Sequence, residues 1–161
     1  MRPLLGGLVA LLIASFATSS LADDSEKAPI AHSPGQRIAT ASFIPHWILR
    51  ATLYHAGGGG GDSKDSLGCK PVPMRTVAVD PTVIPRRTIL FIAETVGMPM
   101  PGGGVHDGYW YASDTGGAIK GSRIDLFTGR GHGSMAPAWK FNQHKLTIAK
   151  AGKFDGCPPA Q

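Results

Sequence analysis

The stretch SDTGGAIKGSRIDLF, residues 113–127, places two aspartates, Asp114 and Asp125, on either side of a glycine-rich turn. Tyr109, Trp110 and Tyr111 lead into Asp114, and Ile124, Leu126 and Phe127 surround Asp125. Both flanks read as short strands. Gly116, Gly117 and Gly121 give the backbone freedom for a tight reversal, while Lys120 and Arg123 bring positive charge close to the acids. Two readings follow from these residues. One is an ordinary hairpin loop whose aspartates cap backbone amides and whose basic residues face water. The other is a pair of strand ends that deliver two carboxylates into one site, a layout suited to glycosidic chemistry.

Working outward, short apolar alternations recur. Val77 and Val79 alternate with Thr76 and Ala78, Ile89 and Phe91 with Leu90 and Ile92, and Leu146 and Ile148 with Thr147 and Ala149. Each predicts a strand with one face toward a core. The chain of 161 residues holds 22 glycines and 13 prolines. That punctuation is too frequent for long helices and favours short strands joined by turns. An apolar cluster of Phe43, Ile44, Trp47, Ile48 and Leu49 fits a helical turn or an edge strand equally well.

Upstream, TVAVDPTVIPRRTILFI (residues 76–92) carries a third aspartate, Asp80, and residues 51–54 read Ala-Thr-Leu-Tyr. With these segments in this order, the chain resembles the 3D domain, a family named for three aspartates and shared with the membrane-bound lytic transglycosylase A family. The resemblance spans about residues 51–148, with Asp80, Asp114 and Asp125 as the three aspartates. It implies an all-β fold, a small six-stranded double-psi β-barrel with long loops. It also implies an enzyme that cleaves peptidoglycan between N-acetylmuramic acid and N-acetylglucosamine and leaves a 1,6-anhydro end, without a cofactor.

Carried over residue by residue, the resemblance puts the acid/base role on Asp125, with Asp114 and Asp80 as the neighbouring charges that raise its pKa. Lys120, Arg123, Gly116, Gly117 and Trp110 become candidate substrate contacts, with Lys120 either steadying developing charge or pairing with Asp114. Tyr109, Tyr111 and Trp139 join Trp110 as aromatics able to stack on sugars, about half of them expected in the core. The chain departs from the family in two respects. The full transglycosylase has a second large domain forming the other wall of its groove, which a chain of this length leaves no room for, so stand-alone 3D domains are the better match. Trp139 is followed by Lys140 where the family often has glycine. A half-groove leaves three alternatives: weak glycan binding, a partner protein that completes the groove, or lost turnover. The rival reading is a non-catalytic wall-binding or wall-loosening barrel, and a two-carboxylate hydrolase is a further one.

The remaining features bound the setting. Arg2, an apolar run to about Ala17 and Ser20-Leu21-Ala22 read as a cleavable export signal over residues 1–22. A flexible leader is expected over 23–47, the barrel over 48–157 and a short tail over 158–161. No cysteine follows the cleavage site, so no lipid anchor is expected, and the location is periplasmic or secreted. In an exported chain Cys69 and Cys157 read as a disulfide, worth about 4 to 5 kcal/mol in the chain-entropy picture. The six histidines show no compact ligand spacing, and no metal is expected. His106 and His132 are the likeliest to approach a barrel face, with solvated loops as their default. The run Gly57–Gly61 lacks a phosphate-loop order and reads as a surface loop, as does Pro101–Gly104. A formal net charge of +5 suits an anionic cell-wall polymer, and the absence of a basic patch interleaved with aromatics argues against nucleic acid.

Overall fold

The computed structural model describes residues 44–57 and 64–160, which fall within one compact unit. The export signal, most of the leader, His32 and Gly58–Gly61 lie outside the described residues. Six strands form the domain: β1 (Trp47–Ala56), β2 (Thr76–Val79), β3 (Thr88–Ile92), β4 (Tyr109–Asp114), β5 (Arg123–Arg130) and β6 (Lys145–Lys153). They close into a barrel in the order β1-β5-β2-β4-β3-β6. The pairs β1/β5 and β2/β4 are parallel and the other four antiparallel. The all-β, six-stranded double-psi expectation holds. A closed ring leaves no strand edge unpaired, so β1 is neither a helical turn nor an edge strand. Of the apolar cluster at its start, Leu49 enters the core and Trp47 packs on it, whereas Ile44 and Ile48 are exposed.

Register fixes which residues fill the lumen, because side chains alternate along a strand and directly paired residues share a face. Ala51 pairs with Ile124 and Leu53 with Leu126, while Val77 pairs with Leu126 and Val79 with Ile124. These residues, with Leu90, Ile92, Trp110, Ala112, Leu146 and Ile148, make one contiguous core. A ten-residue 3-10 helix, His132–Phe141, follows β5 and adds Ala138 and Phe141 to it. Nothing in the sequence reading anticipated this helix.

Two expectations are corrected here. β4 and β5 do not form a hairpin, because β2 lies between them. The glycine-rich segment after Asp114 passes over the end of β2, where Gly121 N–H donates to Asp80 Oδ2 at 2.8 Å. Gly121 has φ +58°, a conformation that favours glycine. The second correction concerns β2, where alternation predicted one wet face but all four residues are buried. The outward pair, Thr76 and Ala78, is 0% and 4% exposed. A loop covers them: Val72 N–H donates to Thr76 Oγ1 at 2.9 Å, and Ser66 Oγ donates to the carbonyl of Ser113 on neighbouring β4 at 2.9 Å.

That loop is anchored by the Cys69–Cys157 disulfide, with Cα atoms 5.6 Å apart and a sequence separation of 88. The turn Met98–His106 closes as the expected loop, with a bridge between Pro99 and Val105. His106, in contrast, is no solvated loop histidine. It is 1% exposed and stacks on Trp110 with ring centroids 4.8 Å apart. Its Nε2 lies 2.7 Å from the Met74 carbonyl and its Nδ1 accepts Gly108 N–H. Burial pulls its pKa below the ordinary value, so the ring is neutral and bridges two backbone groups.

Candidate active site

Thr52 pairs with Asp125, and Asp125 pairs with Ala78. Their neighbours in each strand fill the lumen, so Thr52, Asp125 and Ala78 share the outer face of the β1-β5-β2 wall. Asp114 arrives at the end of β4, which is shifted by a bulge so that it pairs with Ala78 as well. Two carboxylates separated by eleven residues of sequence thus meet across Ala78 on one wall. With Tyr54, Thr115, Gly116 and Ile119 they line a cleft of about 230 Å³. Gly116 is required there, since a Cβ would stand 2.8 Å from Ile119 Cγ1.

The environments of the two acids differ. Asp125 is half-buried and accepts one hydrogen bond, from Thr52 Oγ1 to its Oδ1 at 2.7 Å. Burial pushes its pKa up to about 6; the nearby Asp114 charge adds to the rise, and Thr52 and Arg123 oppose it. Asp114 is held by three donors. Tyr54 Oη reaches Oδ2 at 2.8 Å, and the N–H groups of Ser66 and Thr115 reach Oδ1 at 3.1 and 2.8 Å. Burial, followed by the Asp114 charge, raises the Tyr54 pKa far above its ordinary value, so the phenol stays a neutral donor.

The third aspartate does not line the cleft. Asp80 Oδ1 accepts Thr82 N–H and Thr82 Oγ1, and Oδ2 accepts Gly121 N–H. These donors hold its pKa down to about 2. Asp80 shapes the turn over β2 and is not among the groups that raise Asp125. Lys120 is exposed, and the carboxylate whose pKa it helps lower is Asp80. Among the described residues it forms no ion pair with Asp114.

Of the other expected contacts, Gly117 is exposed beside the cleft and Arg123 is half-buried next to Asp125. Trp110 is corrected outright. It is 0% exposed, and its indole N–H donates to Thr95 Oγ1 at 3.0 Å. Tyr111 packs on Phe154, whereas Tyr109 and Trp139 are exposed, the latter bordering a separate hollow with His132 and Met135. Among the described residues, no group of three or more His, Cys, Asp or Glu side chains is placed to hold a metal ion.

Sequence reasoning missed Thr52, Tyr54, Asp65 and Ser66 as members of the site. Thr52 and Tyr54 had been noticed only as part of an opening motif, yet their spacing of two puts them on one strand face, each bonded to one of the two acids. Asp65 and Ser66 carried no signal of their own.

The model of the 3D domain family matches residues 75–145, which include all three aspartates. No curated protein matches it. Among solved structures, it is similar to MltA from Escherichia coli with bound chitohexaose, at 26% identity and TM-score 0.38 over 55% of this chain and 28% of that one. It is also similar to the lytic transglycosylase LtgG of Burkholderia pseudomallei, at 31% identity and TM-score 0.38 over 55% and 27%. MltA from Neisseria gonorrhoeae gives 25% identity and TM-score 0.41 over 60% and 23%. The chain spans about a quarter of the length of these proteins.

Proposed function

We propose that this protein is an exported enzyme of the lytic transglycosylase type, acting on peptidoglycan glycan strands with Asp125 as its acid/base. The observation that carries the reading is the contrast at the cleft. Asp125 sits in a drying environment that lifts its pKa to about 6, next to an acid fastened by three donors. A carboxyl with a pKa near the working pH can both give and take a proton, as the reaction requires.

In the first step Asp125 protonates the glycosidic oxygen between N-acetylmuramic acid and N-acetylglucosamine, and the C1–O bond breaks. The C6 hydroxyl of the muramoyl unit then attacks C1 as the Asp125 carboxylate accepts its proton. The product is a 1,6-anhydro end, the acid is restored, and no water is consumed. The Asp114 charge favours the protonated form of Asp125 before the first step. Thr52 orients the reacting carboxyl, and Tyr54 orients Asp114. Trp139, the more exposed of the candidate aromatics, is placed to contact a strand away from the cleft.

The deciding experiment is digestion of purified peptidoglycan followed by mass analysis of the released muropeptides. Anhydro ends are expected. Reducing ends would replace this reading with hydrolysis, and intact strands that still retain the protein would replace it with a wall-binding module.

A further inference from the structure

Apart from Cys69, the segment between Lys64 and Val72 has no role in the sequence reading, yet it contacts both β2 and the end of β4 beside the cleft. Its Ser66 gives one hydrogen bond to Asp114 and another to the carbonyl of Ser113. Val72 reaches Thr76 on β2, and Arg86 Nη1 donates to Ser66 O at 3.1 Å. Within the segment, Asp65 is 7% exposed and its Oδ1 accepts the N–H groups of Leu67 and Cys69 at 3.0 and 2.8 Å, which folds the turn that presents Ser66. Cys69 then bridges to Cys157, in a C-terminal stretch held by Arg87 Nη1 on Gly156 O at 2.8 Å. The chain of contacts from Cys157 to Asp114 is therefore continuous. None of it belongs to the barrel's own strand ladders.

We infer that the Cys69–Cys157 disulfide is a redox-sensitive clamp that seats this segment on the outer wall, so that its reduction disassembles the cleft while the barrel stays folded. The inference rests on the proposed reaction only for its effect on turnover. A dithiol supplies the two electrons: it closes to its own disulfide as its two protons pass to Cys69 and Cys157. The six strands keep their pairing, because the closed ladder contains neither cysteine. Freed at Cys69, the segment no longer fixes Ser66 against Asp114, and water reaches the face it covered. Of the groups that shift Asp125, which are Thr52 on β1, Arg123 on β5 and Asp114 on β4, the segment holds Asp114, and the change reaches Asp125 through it.

The test compares the oxidised protein with the same protein after dithiothreitol treatment and with C69S/C157S. Carbon-13 NMR titration of the carboxyls and amide hydrogen exchange do not depend on turnover. On reduction, the Asp125 midpoint is expected to fall from about 6 toward the ordinary carboxylate range, and the Ser66 and Thr115 amides to lose protection. Amides of β3 and β6 should keep theirs. Release of anhydro ends should drop roughly 10- to 100-fold, as expected when a catalytic group is misplaced. Asp65→Ala, with the bridge intact, loosens the segment from its other end and should move the midpoint the same way; it serves if the cysteine variant does not fold. An unchanged midpoint with unchanged Ser66 protection after reduction would overturn the clamp. Absence of turnover in the oxidised protein would overturn the proposed reaction instead and leave the clamp to be judged by titration and exchange.

Discussion

The barrel has two kinds of wall. On β3 and β6 the outer face is bare: Leu90, Ile92, Leu146 and Ile148 point into the core, and Ile89, Phe91, Thr147 and Ala149 are half-exposed. On β2 the outer face is roofed by the disulfide-anchored loop, and no residue of the strand remains wet. Strand geometry is the same on both sides, so the difference comes from what lies above it. A bare wall stabilises the fold through one face only. A roofed wall has a second, smaller dry layer, and a carboxyl at its margin takes on a pKa suited to proton transfer at neutral pH.

The largest expected effect of breaking this contrast is at Asp125. Asp125→Asn should cut release of anhydro ends by about 10² to 10⁴, the usual worth of a positioned acid/base, with retention on sacculi nearly intact. The same variant should be the more stable protein at neutral pH. Because the folded pKa lies above the unfolded one, the folded state binds the proton more tightly. The Asp125 contribution to stability is therefore greatest below the unfolded value, about 3.9, and is lost as pH rises through 6. Above pH 6 the asparagine variant should exceed wild type by about 1 to 2 kcal/mol after allowance for solvent screening. Thermal melts across that window would show the gap open; a gap of constant size would mean that burial does not set the pKa.

Asp114→Asn should cost less activity than loss of Asp125, because in the proposed mechanism Asp114 tunes and does not transfer the proton. It removes one of the causes that raise Asp125, so the pH–rate profile should move down in pH. Equal and complete loss in both variants would show that the roles are wrongly divided.

The smallest effect isolates the roof itself, using one substitution on each wall. Thr76→Val removes the acceptor of the half-buried Val72 N–H and should destabilise by about 1 to 3 kcal/mol in denaturant titrations. Thr147→Val, on the bare wall, should fall within about 0.5 kcal/mol. Equal values would dissolve the distinction between the walls.

The same distinction explains what could be read from the sequence. Residues 89–92 and 146–149 alternate as bare-wall strands must, and their pattern was legible. The stretch 76–79 alternates too, but its roof is built from residues whose only signals were a cysteine and a run of small polar residues. Trp110 was misread because Tyr109, Trp110 and Tyr111 look alike one by one; its parity with Ala112 was the available sign that it faces inward. Asp114 and Asp125 were found as a pair, but the hairpin reading survived until the strand order put β2 between them. Asp80 sits in the same motif as the other two, and only its hydrogen bonds to Thr82 and Gly121 separate a turn-builder from a cleft residue. The distant cysteine pair was readable because neither cysteine has the C-x-x-C or close Cys/His spacing of a metal or redox site.

The outward direction of Thr52, Asp125 and Ala78 has a consequence for the size of substrate this barrel can meet. The lumen is filled with side chains and admits nothing, so in the proposed function a polymer is laid across the domain as a rope across the outside of a drum. No free end has to be threaded. On the proposed reading, bonds in the middle of a long strand are as reachable as terminal ones, and the preference between them falls to whatever faces the barrel from the other side.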